Sequence, residues 1–417
     1  MAKYSRKERL IASVLSATPG LKKMVKRWYV KANALIYHKD YQYKIINGKI
    51  MRIETPIEGK ETFGGYYDRP TIKNGWLLSH VTEADTSKLP TPQQTIRLVA
   101  TNLKTSEVVN IADTTSYNWQ QGCRPQWLTD HLIIYNTFEG GRYTANVYSL
   151  TDKKIVKQFQ LPVQDAYQTD YFLSINYSRL MDMNPDYCYR NLPFENKDNK
   201  EDGIWRTDYE TGQSTLVHSI QSISAFETKE MFDDCQHIVN HVMISPDGSK
   251  FIFIHRYYQG HRRFDRLLIS DFHSLRILAD EGMVSHCHWT DNDHIIGYLR
   301  HDGKDGFYLC NVNDGTMESI QEMNGISFGD GHPTCHGEWI AFDTYPDKSC
   351  MQHLFLFNSK SRAFIPLLEV YHAPKFREES RCDLHPRFSD DGSLISFDTV
   401  FKGHRTQCFI SIKDIVS

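Results

Sequence analysis

The chain has 417 residues, of which 40% are hydrophobic, 24% charged and 12% aromatic, a composition typical of an ordinary globular protein. Its formal net charge of −3 gives no case for nucleic acid as a partner. The beginning of the chain lacks the pattern of a secretory leader, and no apolar run is long enough to predict a membrane span. The nine cysteines show no paired C-x-x-C spacing, so we expect a cytoplasmic protein with reduced thiols.

Residues 1–45 form a basic segment with a helical pattern. Pro19–Gly20 divides it into two short helices. Two interpretations remain open for this segment: an extension that packs on the rim of the following domain, or a basic amphipathic helix that contacts anionic membrane or a partner protein. The apolar residues that recur at helical spacing, with lysines between them, are Leu21, Met24, Val25, Trp28, Ala32, Leu35 and Ile36.

From residue 46 onward the pattern changes to short strands and turns, beginning with a hairpin predicted at Asn47–Gly48. Seven segments then place a small polar turn before an apolar strand, and they begin near residues 66, 119, 176, 241, 286, 332 and 385. A repeat of about 40 to 50 residues with several strands per unit is typical of a β-propeller. We therefore predict an all-β fold, a seven-bladed β-propeller over residues 46–417 with a short N-terminal helical extension over residues 1–45.

Histidine begins four of these segments, at His241, His286, His332 and His385. The innermost strand of each blade starts at the central channel, so equivalent residues of successive blades converge there. Imidazole is the commonest metal ligand and a natural general base. We expect the four histidines to meet at one mouth of the channel and to form the functional centre. The alternative is a structural role, in which each histidine bonds the backbone of a neighbouring blade.

Several motifs occur in order in the second half of the chain: NHVMISPDG followed by FIHR, then RLLISD, then SHCHW, and DLHPRFSDDG near the end. On these motifs the segment from His241 to Ile410, about two-fifths of the chain, resembles the oligogalacturonate lyases, which are cytoplasmic seven-bladed propeller enzymes. More distantly it resembles other propeller polysaccharide lyases, such as the ulvan lyases. The S-P-D-G turn alone occurs in many unrelated propellers, whereas the ordered set of histidine-led segments is more specific.

The resemblance implies a metal centre. In that family a divalent metal, usually manganese, is held by three histidines and a glutamine, and a separate histidine is the base. By position, His286 and His385 would be ligands, with Asp383 where the family has a further histidine. The family's glutamine has no counterpart, because Ser and Arg stand at positions 380–381. Either the ligand set includes His332, or the metal is absent and arginines take over its electrostatic role.

The resemblance also implies a reaction, a β-elimination that removes the proton α to a uronate carboxylate and expels the 4-linked sugar oxygen. Such a site needs a base with a pKa near the working pH. It also needs positive charge to neutralise the carboxylate and the developing enediolate. We expect His241 or His255 to be the base and Arg263 or Arg266 to hold the carboxylate. Tyr258 is expected to stack on a sugar ring or to protonate the leaving group.

Further candidates for contact with an acidic oligosaccharide or polysaccharide are Arg256, Tyr66, Arg69, Trp119, Gln121 and Tyr177. Asp343 and Asp398, in repeated F-D-T runs, are expected to tie adjacent strands or loops. The motifs of α/β-hydrolases, P-loop NTPases and H-E-x-x-H metalloproteases do not occur. The competing interpretation is a non-catalytic glycan-binding or scaffold propeller in polysaccharide biosynthesis, docked by its basic N-terminal helix.

Overall fold

A computed structural model describes residues 19–194, 199–326 and 328–417, and it contains seven antiparallel sheets arranged as blades around a central channel. In six of the seven blades, strands that follow one another in the chain are hydrogen-bonded neighbours. The predicted seven-bladed propeller with a short N-terminal helix is thereby confirmed. All nine cysteines are free thiols. Within the described ranges, no helix combines the length and apolar character that crossing a membrane requires.

The strands, numbered in chain order, fall into the following blades. Preceding them is β1 (Tyr43–Ile45); blade 1 has β2 (Glu61–Phe63), β3 (Ile72–Lys73), β4 (Trp76–Thr82), β5 (Ile96–Asn102) and β6 (Val108–Thr114); blade 2 has β7 (Gln126–Trp127), β8 (Leu132–Glu139), β9 (Arg142–Ser149) and β10 (Lys154–Phe159); blade 3 has β11 (Asp165–Tyr167), β12 (Tyr171–Ser174), β13 (Gly203–Asp208) and β14 (Ser214–Ser219); blade 4 has β15 (Gln236–Ile244), β16 (Phe251–Gln259), β17 (Arg262–Ser270) and β18 (Leu275–Ala279); blade 5 has β19 (Val284–Trp289), β20 (His294–His301), β21 (Lys304–Asn311) and β22 (Met317–Ser319); blade 6 has β23 (Thr334–His336), β24 (Trp339–Asp343), β25 (Met351–Asn358) and β26 (Phe364–Tyr371); blade 7 has β27 (Arg387–Phe388), β28 (Leu394–Thr399) and β29 (Thr406–Ser411).

Helices are few and short. The α-helices are α1 (Pro19–Ile36), α2 (Leu180–Met183), α3 (Ile220–Ala225), α4 (Gln321–Asn324) and α5 (Lys413–Val416), and 3-10 helices span Pro185–Tyr187, Glu230–Asp234 and Glu378–Ser380. The first of the two helices predicted in the basic segment lies outside the described residues, whereas α1 begins at the predicted break. Strands therefore form nearly all of the regular structure from residue 43 onward.

The chain before blade 1 completes the last two blades. Strand β1 pairs with β26 of blade 6, with Tyr43 opposite Val370. Glu54 pairs with Phe409 in β29 of blade 7 through two backbone hydrogen bonds of 2.9 and 3.0 Å. The hairpin predicted at Asn47–Gly48 is wrong, because the runs on either side of this turn pair with two different blades instead of with each other. The exposed edges of blades 6 and 7 offer backbone partners that a local hairpin would leave unpaired.

Hydrophobic clusters fill six of the spaces between neighbouring blades. Within β8, Ile133 packs toward blade 1 and Ile134 toward blade 3. Likewise Phe253 in β16 faces blade 3 and Ile254 faces blade 5. Successive side chains of a strand point to opposite faces of the sheet, and both faces are covered here, so inner strands are continuous apolar runs.

Blades 7 and 1 meet through a polar network. The guanidinium of Arg387 is fully buried and donates to the Asp398 carboxylate at 3.0 Å and to the Gly65 carbonyl at 2.7 Å. Asp398 also accepts from the Gly64 N–H at 2.8 Å. A Cβ at Gly64 would lie 2.7 Å from the guanidinium carbon of Arg387, so this close approach requires glycine. Asp398 therefore ties loop to strand as predicted, and the network fixes the segment that leads into Tyr66.

Blade 3 begins earlier than predicted. Its first strand is β11 at Asp165–Tyr167, whereas the predicted start near Asn176 falls after β12, at the beginning of a long insertion over residues 175–202. In the structure β12 is already the second strand of this blade. Since the insertion carries α2 and a 3-10 helix, it interrupts the regular spacing from which the prediction was made.

Candidate functional site

The structure brings the four blade-leading histidines together in the channel. Ring centroids are 3.9 Å apart for His286 and His332, 4.4 Å for His332 and His385, and 6.2 Å for His241 and His286. None of the four exposes more than 4% of its surface. We call these residues the histidine cluster.

Two members of the histidine cluster are oriented by carboxylates. The Nδ1 atom of His286 lies 3.1 Å from Asp330 Oδ1, and that of His332 lies 2.8 Å from Asp343 Oδ1. Since a carboxylate accepts a hydrogen bond, each ring carries its proton on Nδ1 and leaves the lone pair on Nε2. This is the carboxylate–histidine arrangement that commonly supports metal ligands. Asp343 also accepts from the His332 backbone N–H at 2.7 Å, which confirms its expected role in tying loops.

His385 is oriented in the same way by a backbone carbonyl. Its Nδ1 lies 3.1 Å from the Gly65 oxygen, and its Nε2 points toward Asp383, whose Oδ2 lies 4.0 Å away. Within the described part of the chain, the buried Nε2 atoms of His332 and His385 have no hydrogen-bond partner. These two nitrogens and a carboxylate oxygen of Asp383 all lie within 4.8 Å of one another.

A divalent cation fits this donor set. Two imidazole nitrogens with available lone pairs and one carboxylate form a mixed N/O site suited to manganese, zinc or iron. A bound ion would also satisfy the two buried nitrogens of His332 and His385, which otherwise carry a desolvation cost. His286 lies beside His332 and is the next donor available.

Loss of one ligand is expected to abolish tight metal binding. We expect His385→Ala to weaken Mn²⁺ binding by about 100-fold or more, because even a supporting residue of a metal site is worth about 10- to 100-fold. Calorimetric titration of the metal-free protein with Mn²⁺ measures this. His294→Ala is the matched control, since that histidine is partly exposed on blade 5 and its ring Nδ1 lies 3.0 Å from Asp291 Oδ1. Equal affinities in both variants would contradict the assignment of the site.

His241 differs from the other three histidines in its Nδ1 partner. That nitrogen lies 3.1 Å from the hydroxyl of Tyr66, and the two rings stack at 5.3 Å. A phenol both donates and accepts, so neither tautomer of His241 is imposed. Burial, followed by the positive charge of Arg256, lowers the pKa of His241 well below its ordinary value. A neutral imidazole is the form that accepts a proton.

Charges in the rest of the cluster follow from burial and pairing. Burial lowers the pKa of both His286 and His385, with a further contribution from His332. Burial also lowers the pKa of His332, but Asp343 outweighs it, and the pKa is raised overall. For Asp383 burial raises the pKa, and the opposing charges of Arg381 and His332 lower it overall. Asp383 is therefore an anion in a site of mostly neutral imidazoles.

A tyrosine and an arginine that the sequence did not single out cover the cluster. The Tyr187 hydroxyl lies 3.3 Å from that of Tyr66, and its ring is 4.9 Å from His241. Arg381 donates through Nε to Asp383 at 2.7 Å and pairs with Asp186 through its terminal nitrogen. Tyr187 and Asp186 lie in the blade 3 insertion. Its sequence lacks the repeat pattern of the blades, so the pattern could not place these two residues at the cluster. The sequence indicated Arg381 only as a replacement for the family's glutamine.

The structure does not bring His255 or Arg266 into the cluster. These residues face each other on β16 and β17, where the Nδ1 of His255 accepts from Arg266 Nη2 at 3.0 Å. The other ring nitrogen of His255 lies 2.9 Å from His237. Arg266 also donates hydrogen bonds to the backbone carbonyls of Ile223, Phe226 and Glu227. Both side chains are fully buried in a closed network within blade 4.

Of the other candidates on blade 4, Arg256 acts on the cluster. It is buried, donates through Nε to Asp265 Oδ1 at 2.6 Å, and its charge contributes to the lowered pKa of His241. Arg263 is half-exposed and lies 3.3 Å from the other oxygen of Asp265. Tyr258 donates its hydroxyl to the Met183 carbonyl at 2.5 Å. Among the candidate arginines of this blade, Arg256 therefore acts on the cluster, and not Arg263 or Arg266 as expected.

The predicted substrate-contacting aromatics separate into two groups. Tyr66 lies inside the histidine cluster. Trp119 packs between blades, with its ring 5.6 Å from that of Phe63, and its indole N–H donates to the Lys88 carbonyl at 2.7 Å. Tyr177 is also structural, because it stacks on Tyr189 at 4.1 Å and donates its hydroxyl to the backbone carbonyl of residue 163.

The two polar candidates contact neighbouring segments of the propeller. Arg69 pairs with the buried carboxylate of Asp165. Gln121 is buried, and its carbonyl oxygen lies 2.9 Å from where a Cβ on Gly65 would be. The backbone of Gln121 thus lies close against Gly65, whose own carbonyl orients His385.

Arg124 is a buried channel residue that the sequence reading missed. It forms two hydrogen bonds of 2.9 Å with Asp68, and its charge contributes to the lowered pKa of His241. Its φ of 54° matches the left-handed backbone of His241 (51°) and His385 (45°), a conformation uncommon outside glycine. The available signal was a proline after the leading residue, shared by Arg69–Pro70, Arg124–Pro125, His332–Pro333 and His385–Pro386.

Comparisons with known proteins show the fold. No protein-family model and no curated protein matches the chain. Among solved structures, an oligogalacturonate lyase from Vibrio parahaemolyticus matches with a TM-score of 0.60 at 12% identity, over 90% of this chain and 98% of that one. An oligogalacturonate lyase in complex with manganese matches with a TM-score of 0.57 at 13% identity, over 90% of this chain and 97% of that one. An acylaminoacyl peptidase from Pyrococcus horikoshii matches with a TM-score of 0.48 at 12% identity, over 84% of this chain and 52% of that one.

Proposed function

We propose that this protein is a cytoplasmic lyase that cleaves a uronate-containing oligosaccharide or polysaccharide by metal-assisted β-elimination. One observation carries the proposal: three histidines with pinned Nδ1 atoms and a carboxylate converge beside a fourth histidine whose tautomer is not imposed. Ligands and a base are the two kinds of group that the reaction requires. The shared propeller fold of oligogalacturonate lyases, one of them solved with manganese, supports it.

In this proposal His332, His385 and Asp383 hold the divalent metal, with His286 as a further donor. When bound, the ion supplies positive charge that neutralises the substrate carboxylate and stabilises the enediolate. The carboxylates of Asp330 and Asp343 hold two of these rings in register. Asp383 takes the position where the family has a histidine, so this site would be more anionic than the family's.

His241 is the proposed base. Its neutral ring accepts the proton α to the carboxylate, the electron pair of that C–H bond forms the new double bond, and the bond to the 4-linked oxygen breaks. The leaving oxygen is then protonated by solvent. Tyr66 holds Nδ1 of His241 during this transfer, and burial, followed by the charge of Arg256, lowers the pKa of His241 and so keeps the ring neutral beforehand. His255 is left out because both of its ring nitrogens are used within blade 4.

Arg381 and Arg256 are the proposed partners of the substrate carboxylate, in place of Arg263 and Arg266. Arg381 contacts Asp383 directly, so its guanidinium lies beside the carboxylate that would hold the metal. Arg256 retains Asp265 as its counter-ion. Arginine suits this role because its planar donors match a carboxylate.

Substrate reaches the cluster only after its cover moves, because the four imidazoles are almost completely buried. The cover is held by the ion pairs Arg381–Asp186 and Arg190–Glu379, both partly exposed to solvent. The described conformation therefore corresponds to a closed state of the proposed enzyme.

The test is formation of an unsaturated product. The purified protein, loaded with Mn²⁺, is incubated with galacturonate, glucuronate and mannuronate oligosaccharides, and the ultraviolet absorbance of the new conjugated double bond is followed. We expect absorbance to rise with at least one of them and to stop on chelation of the metal. Tight binding of an oligosaccharide without any product, metal-loaded or not, would contradict the lyase and identify the glycan-binding propeller instead.

A further inference from the structure

Helix α1 presents large apolar side chains to solvent. It has 18 residues, and Met24, Trp28, Leu35 and Ile36 expose 52%, 69%, 81% and 72% of their surfaces. Exposed apolar residues scattered singly need no explanation, but a set on one short helix does. This helix therefore carries an apolar surface that the rest of the described chain does not cover.

The exposed residues form a row along the helix. Met24, Trp28 and Leu35 stand at positions i, i+4 and i+11, which at 100° per residue places them within about 40° of one another around the axis. Ile36 stands 100° around the axis from Leu35, so it widens the apolar face at the end of the helix. An amphipathic helix of this kind lies in the plane of a membrane interface with its apolar row inserted. Trp28 is the residue type that favours that depth.

The net charge of residues 1–39, which include α1, is opposite to that of the rest of the protein. Residues 1–39 contain ten basic residues and one acidic residue, so residues 40–417 carry a net charge of −12. Five of the basic residues fall within α1, namely Lys22, Lys23, Lys26, Arg27 and Lys31. A basic segment is attracted to anionic lipid, whereas the acidic propeller is repelled by it. The charge distribution thus selects α1 as the contacting element.

The chain directly after α1 is fixed to the propeller. The Lys39 ammonium bonds Glu369 on β26 at 2.8 Å, and the Tyr41 hydroxyl bonds the same carboxylate. Strand β1 then continues along β26. Attachment of α1 to a surface would therefore hold the propeller beside that surface by blade 6.

From the exposed apolar row, the basic residues in the sequence of the same helix and the fixed segment that follows it, we infer that α1 docks the protein onto the surface of a membrane containing anionic phospholipid. The inference is independent of the proposed lyase activity. Lipid headgroups supply the anions and the acyl boundary takes up the apolar row, which accounts for both features of the helix together.

Co-sedimentation of the full chain with vesicles tests this inference. Vesicles of phosphatidylcholine alone are compared with vesicles that also contain phosphatidylglycerol, at low and at high salt. We expect binding to the anionic vesicles only, weakening as salt rises. The double variant Trp28→Ser/Leu35→Ser should bind about tenfold or more weakly, since each side chain loses its burial in the interface.

Met51→Ser is the matched control, because Met51 exposes 93% of its surface outside α1 and should leave vesicle binding unchanged. Thermal unfolding of both variants is expected to match the wild type, since the altered residues are exposed. Binding that is absent, equal on neutral vesicles, or unaffected by the double variant would overturn the inference. So would light scattering that shows self-association abolished by the same two substitutions, which would assign the row to a second copy of the chain.

Discussion

Replacing His241 by asparagine is expected to lower turnover on a uronate oligosaccharide by about 10²- to 10⁴-fold, the usual contribution of a positioned general base. Asparagine tolerates the left-handed backbone found at this position, so the variant removes the base without forcing the loop. Because the proposed ligands are His332, His385 and Asp383, Mn²⁺ affinity should remain within a few-fold of wild type. Initial rates from product absorbance, with calorimetric metal titration, check both expectations.

His255→Asn is the informative comparison for His241→Asn. His255 is the other base candidate from the sequence, yet its ring bonds Arg266 and His237 in the core of blade 4. Its loss leaves the buried Arg266 short of an acceptor, so the cost should appear as lower stability, about 1–3 kcal/mol, and not as lower turnover of the folded enzyme. Loss of turnover in the His255 variant, with His241→Asn active, would reverse the assignment of the base.

The contrast between these two histidines shows how far sequence reasoning reaches. Repeat spacing predicted the number of blades, because each blade needs the same inner strands and turns wherever it occurs in the chain. It also predicted that His241, His286, His332 and His385 come together, since equivalent positions of a ring of blades face one channel. Within a blade, however, the same spacing cannot tell which face or edge a side chain occupies, and His255 was selected by proximity in sequence alone.

Contacts between residues that are distant in the sequence could not be predicted, for a different reason. Tyr187 reaches the cluster from an insertion whose length has no counterpart in the other blades, and Asp330 and Asp343 act by contacting rings in the folded state. The pairing of Glu54 with Phe409 joins residues at opposite ends of the propeller. Such contacts depend on closure of the ring, which local sequence patterns do not indicate.

Closure of the ring also determines where a substitution should lower the stability of the fold most. Arg387→Ala is expected to lower the free energy of unfolding by about 3–5 kcal/mol, the usual effect of removing one partner from a buried ion pair. Arg387 is fully buried at the junction of blades 7 and 1, where it bonds both Asp398 and the Gly65 carbonyl. The carboxylate of Asp398 would stay buried with only the Gly64 and Gly65 amides to compensate it. Denaturant unfolding followed by circular dichroism measures the change.

Arg97→Ala is the control for this effect, because the Arg97–Asp113 pair is about half exposed on the outer part of blade 1 and its loss should leave the free energy of unfolding nearly unchanged. The Arg387 variant should also weaken Mn²⁺ binding, since the Gly65 carbonyl that it releases is the acceptor that orients His385. If Arg387→Ala lowers the free energy of unfolding as expected but leaves Mn²⁺ affinity unchanged, closure of the ring and geometry of the metal site are independent of each other. Equal small losses in the two arginine variants would show that the hydrophobic contacts of the other six junctions hold the ring closed, and that the polar junction serves only to position the histidine cluster.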